Sequence, residues 1–107
     1  MNVVYSEGEY NIYMQYGKKG KGYIVHNTKK SFKDGHSHIK SFNTAKLIIC
    51  LCRNRRVPHH LNKYLLMSLY RVSNDNEYRE KINILLVNKT NNQKQKRHFV
   101  KANKYCY

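Results

Sequence analysis

Tyr10, Ile12, Met14 and Tyr16 alternate with Asn11, Tyr13 and Gln15. A period of two places these sets on opposite sides of an extended chain, so the stretch predicts a half-buried strand. Gly17-Lys18-Lys19-Gly20-Lys21-Gly22 follows as a flexible cationic turn, and Tyr23 to Asn27 resumes the apolar run. Strand, turn and returning strand make a β-hairpin. Asn2 to Tyr5 offers a third strand, joined through Ser6-Glu7-Gly8-Glu9.

Residues 28–42 are polar and carry the turn signal Asp34-Gly35, which predicts a structured loop. A helix is expected over Thr44 to about Asn54, capped by Asn43 or Ser41. Its apolar residues lie nearly all round, which predicts a central place in the core. Pro58 interrupts, and a second helix is expected from near His59. Its stripe is Leu61, Tyr64, Leu65, Leu69 and Val72, with Ser68 in the gap. Ser73-Asn74-Asp75-Asn76 ends it and caps a third helix, with Asn74 and Glu77 at capping-box spacing. Tyr78, Ile82, Leu85 and Leu86 form the third stripe.

After Val87 the chain turns polar and basic, with no acid from Asn88 to Tyr107. A chain of 107 residues suits a single domain. The expected organisation is an α+β domain over 1–87 and a basic tail over 88–107, flexible or returning as a strand. The domain would hold an N-terminal antiparallel β-hairpin or three-strand meander and then three helices.

Charge decides the functional class. Twenty-one Lys+Arg face six Asp+Glu, for a net charge of +15. Self-repulsion on this scale opposes compaction, so the excess points to a polyanionic partner. The first 16 residues sum to −2, residues 17–73 to +12, residues 74–87 to −1 and the tail to +6. The contacts expected from this distribution are Lys18, Lys19, Lys21, Lys29, Lys30, Arg53, Arg55, Arg56, Lys94, Lys96 and Arg97. Arg55 and Arg56 can fork onto phosphate oxygens, which Lys cannot do. Tyr13 alternates away from the apolar face and is the best placed tyrosine to stack on an unpaired base. Eight phosphate contacts would give a log–log salt slope of roughly −6 to −7.

No membrane partner is expected, because the longest apolar run is Leu47 to Cys52. Three cysteines and no export signal predict reduced thiols in a cytoplasm. His36-Ser37-His38 and His59-His60 lack the spacing of zinc ligands, so neither metal nor cofactor is expected. No nucleotide loop or acidic nuclease cluster is present. Arg53-Asn54 followed after four residues by His59, and Arg55 followed by His60, resemble the motif of HEPN-type ribonucleases. That likeness implies proton transfer by His and stabilisation of a phosphorane by Arg. Pro58 and the preceding strands depart from that all-helical family.

The block GYIVHNTKKSFKDGHSHIKSFNTAKLII, with VPHHLNKYLLMSLYRVSNDNEY after it, covers roughly residues 22–78. It resembles small basic proteins of phages and mobile elements in low-GC Gram-positive bacteria. The likeness transfers no functional residue. It implies a class, inhibitors of host machinery, anti-CRISPR proteins among them. A basic inhibitor cannot mimic DNA. It would grip guide RNA, target DNA or an acidic surface of a host ribonucleoprotein such as a CRISPR effector. The reading is therefore a non-enzymatic binder of nucleic acid or of a nucleic-acid-containing complex. A HEPN-like ribonuclease and a plain DNA- or RNA-binding regulator are its alternatives.

Overall fold

The computed structural model describes residues 2–18 and 20–95, with side chains up to Asn88. Four strands, β1 (Asn2–Glu7), β2 (Tyr10–Gly17), β3 (Gly20–Asn27) and β4 (His36–Ile39), form one antiparallel sheet in the order β1-β2-β3-β4. Three helices follow: α1 (Phe42–Asn54), α2 (Lys63–Val72) and α3 (Asn76–Gln95). The fold is α+β.

The expected hairpin is β2–β3, paired from Tyr10↔Asn27 to Gly17↔Gly20. β1 joins β2 through a turn at Gly8, whose φ of 61° is a conformation that glycine adopts without penalty. β4 is a correction to the expected loop over 28–42. Its pairing from Tyr23↔Ile39 to His26↔His36 extends the meander to four strands.

The core lies on one side of the sheet. Tyr10, Ile12 and Val25 meet Ala45, Ile48 and Ile49 of α1, Leu66, Leu69 and Val72 of α2, and Tyr78 and Ile82 of α3. α1 is less central than expected. Leu47 is exposed and so is Cys50, because no further layer covers that side among the described residues.

Ser41 caps α1, accepting from Thr44 N. α2 starts four residues later than expected, at the Asn62 cap, whose side chain accepts from Tyr64 N and Leu65 N. Tyr64 leaves the predicted stripe and is 77 % exposed. The buried line is Leu66, Ser68, Leu69 and Val72. Asp75, rather than Asn74, caps α3 by accepting from Tyr78 N at 3.0 Å. α3 runs to Gln95, past the expected boundary at Val87; residues 96–107 of the expected tail lie outside the described residues.

Candidate nucleic-acid interface

The cationic residues predicted from sequence fall at two ends of the sheet. Lys18 and Lys21 are exposed at the β2–β3 hairpin tip. Lys29 and Lys30 follow the far end of β3, and near that end lie Arg53, in the last turn of α1, and Arg55 and Arg56 just beyond it. Eight residues of β3 separate the ends, about 23 Å at the rise of a strand. That exceeds the Debye length at physiological salt, so the ends act as separate sites for a small anion. A polymer can engage both. The predicted cations among the described residues therefore fall into two clusters.

Not every predicted cation is free. The Lys30 ammonium donates to the carbonyls of Arg71 at 2.9 Å and Ser73 at 3.2 Å, closing the C-terminal end of α2. Burial first, then the charges of Arg79 and Arg71, hold it below the ordinary lysine range, against an opposing pull from Asp34. Gly35 makes room for this side chain, since a Cβ there would lie 2.6 Å from Lys30 Cβ. Arg53 pairs with Glu7. The Tyr5 hydroxyl and then Arg53 donate to that carboxylate and hold its pKa below the usual range. Arg55 pairs with Asp75 at 2.7 Å and sits in the left-handed region at φ 54°. Arg56 is exposed and pairs with no carboxylate among the described residues. Lys94 lies on α3, with its side chain beyond those described, and Lys19, Lys96 and Arg97 lie outside the described residues.

Neither match to the ribonuclease motif is carried on one continuous helix. α1 ends at Asn54, and residues 55–62 run without helix to the cap of α2. Arg53 is turned to Glu7 and Arg55 to Asp75. Arg55, Arg56, His59, His60 and Lys81 do line one open groove beside α1.

Tyr13 occupies the face of the sheet opposite the helices, as its alternation predicts. It is half-buried, with ring contacts to Phe32 at 6.3 Å and His26 at 6.4 Å. Phe32, from the β3–β4 loop, stacks on His36 at 4.4 Å with an interplanar angle of 8°. His36 meets His38 edge-on at 5.1 Å. The sequence does not predict these rings together, because residues 28–42 carry the signals of a loop. The period-two pair His36 and His38 was the signal available for β4.

The loop over 28–35 is clasped to the helices by three side chains. Asn27, fully buried, donates through Nδ2 to the Val72 carbonyl and to Asn74 Oδ1, and accepts from Lys29 N. Lys30 makes the bonds given above. Arg71 donates to the carbonyls of His36 at 2.8 Å and Lys33 at 3.0 Å. His26 is buried below Phe32. Its Nε2 lies 3.0 Å from the Lys30 carbonyl, and its Nδ1 meets no hydrogen-bond partner among the described residues.

Among the described residues, no three His, Cys, Asp or Glu side chains gather as a metal site, and no helix is long and apolar enough to cross a membrane. Comparisons with protein-family models, curated proteins and solved structures found no match.

Proposed function

We propose that this protein binds nucleic acid without catalysing a reaction on it. One observation carries the reading: the positive charge is not spent inside the molecule. Of a net +15, only two ion pairs form among the described residues. Lys18, Lys21, Lys29, Lys33, Lys40 and Arg56 are exposed and pair with no carboxylate there. Their division between the ends of a sheet suits an extended polyanion better than a small anion. The finer proposal is that the nucleic acid belongs to a host complex, such as a CRISPR effector, which a phage-type protein would inhibit in the host cytoplasm. The sequence resemblance supports that step.

The test is titration of the whole protein against labelled RNA and DNA between about 50 and 200 mM salt, where counterion release dominates. Six phosphate contacts predict a log–log slope of roughly −4 on single strands and −5 on duplex. Absence of binding, or affinity that does not respond to salt, refutes the reading. For the finer proposal, capture from a host lysate should lose its partner after nuclease treatment. A stoichiometric protein retained after nuclease would identify a protein surface as the target instead.

A further inference from the structure

The register fixes what the helix-free face of the sheet presents. Asn11, His26 and His36 form one cross-strand row, Tyr13, Ile24 and His38 the next, and Gln15 with Gly22 the third. No outward position on β2, β3 or β4 carries a charged side chain, in a chain with 21 Lys+Arg. A face that served only to meet solvent would share the lysines that crowd the rest of the surface. This one carries rings and amides, and Lys18, Lys21, Lys29, Lys33 and Lys40 stand in the segments around it.

The rings run in a connected track, Tyr13 to Phe32 to His36 to His38. Phe32 and His38 are its exposed members, while Tyr13 and His36 are half-buried. Ile24, beneath the track, is only 2 % exposed. Beside His38 the sheet dips. Gly22 has nothing within 4 Å of where a Cβ would stand. A depression of about 250 Å³ lies there, lined by Gln15, Gly22, His38 and Lys40 together with Lys21, Tyr23 and Ile39 from the alternate positions of β3 and β4. It offers a ring for stacking, an amide for a base edge and two ammonium groups for phosphates.

We infer that this outer face is a stacking platform for unpaired bases, so that the nucleic acid bound is single-stranded. The inference rests on the nucleic-acid reading above and sharpens it. Bases in a duplex already stack on one another and present no free face to a flat sheet. In a single strand each base can leave its neighbour and lie on a side-chain ring, while the flanking phosphates meet lysines. Phe32 and His38 take the bases; Tyr13 and His36 hold those rings in place.

Fluorescence anisotropy with four labelled ligands of equal length tests this: single-stranded RNA, single-stranded DNA, an abasic sugar-phosphate strand, and a duplex. The abasic strand keeps the phosphates and lacks the bases. Preference for either base-bearing single strand over both the abasic strand and the duplex supports the platform. His38→Ala should weaken base-bearing single strands about 5- to 150-fold, the range for losing one stacked base. It should leave the abasic strand unaffected, and His38→Phe should restore most of the loss. Phe32→Leu, which keeps the loop apolar and removes the ring, should act like His38→Ala. Equal binding of base-bearing and abasic strands, or tighter binding of duplex, overturns the platform while nucleic-acid binding stands. Wild-type affinity in both His38→Ala and Phe32→Leu overturns it too. Failure of all four ligands to bind would instead remove the broader reading.

Discussion

Asn27→Ala should be among the most damaging single substitutions in this protein. The side chain is fully buried at the end of β3 and makes three hydrogen bonds. Two of its partners, Lys29 N and Asn74 Oδ1, belong to exposed residues, so water can replace Asn27 there at a cost of about 0.5 kcal/mol each. The third, the carbonyl of buried Val72, has no such access, and leaving it unpaired costs about 1–3 kcal/mol. The total is about 2–4 kcal/mol, out of the roughly 5–15 kcal/mol available to a typical domain. A melt followed by circular dichroism should lose about 8–32 °C, at about 4–8 °C per kcal/mol for a small domain. Urea titration should show a lower midpoint with an unchanged slope. Asn74→Ala removes only the exposed partner and should cost less than about 1 kcal/mol. Equal losses in the two variants would refute the assignment of the cost to the buried carbonyl. So would an Asn27→Ala loss below about 1 kcal/mol.

Arg71→Ala removes the donors to the His36 and Lys33 carbonyls, so hydrogen exchange should quicken over residues 28–38 and stay unchanged in β1 and β2. Arg55→Gly and Arg55→Ala both lose the Asp75 pair, yet the glycine variant should be the more stable by about 1 kcal/mol in urea titration, because only alanine keeps a Cβ at φ 54°. Alkylation of the native protein followed by fragment mass spectrometry should modify exposed Cys50 and spare buried Cys52. Burial pushes the Cys52 thiol up to about 12 from an ordinary 9.0. The unfolded chain therefore loses this proton first. Stability from this group is whole below about pH 9 and declines as the pH rises towards 12, a decline that Cys52→Ala should reduce in melts across that window.

The hairpin and the three helices were legible because their apolar residues repeat at the period of the structure they adopt. β4 was not. In His-Ser-His-Ile the two outward residues are imidazoles and the inward pair includes Ser37, whose hydroxyl meets Ser68 at 2.7 Å. Its alternation is one of chemistry rather than hydropathy. The last turns of α3 were hidden for a related reason: Asn88 to Gln95 carries no apolar stripe, although its Lys and Gln residues suit a helix. Tyr64 was misplaced because it falls one residue before the Leu65, Ser68, Leu69 and Val72 line, about 100° round the helix. At the candidate site the charge count was legible, but its disposition was not. Lys30, Arg53 and Arg55 read as free cations until the fold supplied two carbonyls, Glu7 and Asp75. Those partners lie at least 20 residues away in sequence. Tyr13 was legible as an outward residue. Its companions Phe32, His36 and His38 come from a loop and strand whose placement depends on the clasp to α2.

The order β1-β2-β3-β4 also bears on how the chain reaches its fold. Every strand pairs with its immediate neighbour in sequence, and no helix intervenes between any two of them. Each closure therefore spans a short loop, which keeps relative contact order low for a sheet and favours rapid folding. During synthesis the whole meander has left the ribosome before α2 and α3, whose side chains complete its core. The nascent sheet must wait with Tyr10, Ile12 and Val25 only partly covered until Leu66, Leu69 and Ile82 arrive. In that interval α1 is the only cover for its apolar side, so the exposed lysines that repel other chains protect the intermediate from aggregation before they meet any partner.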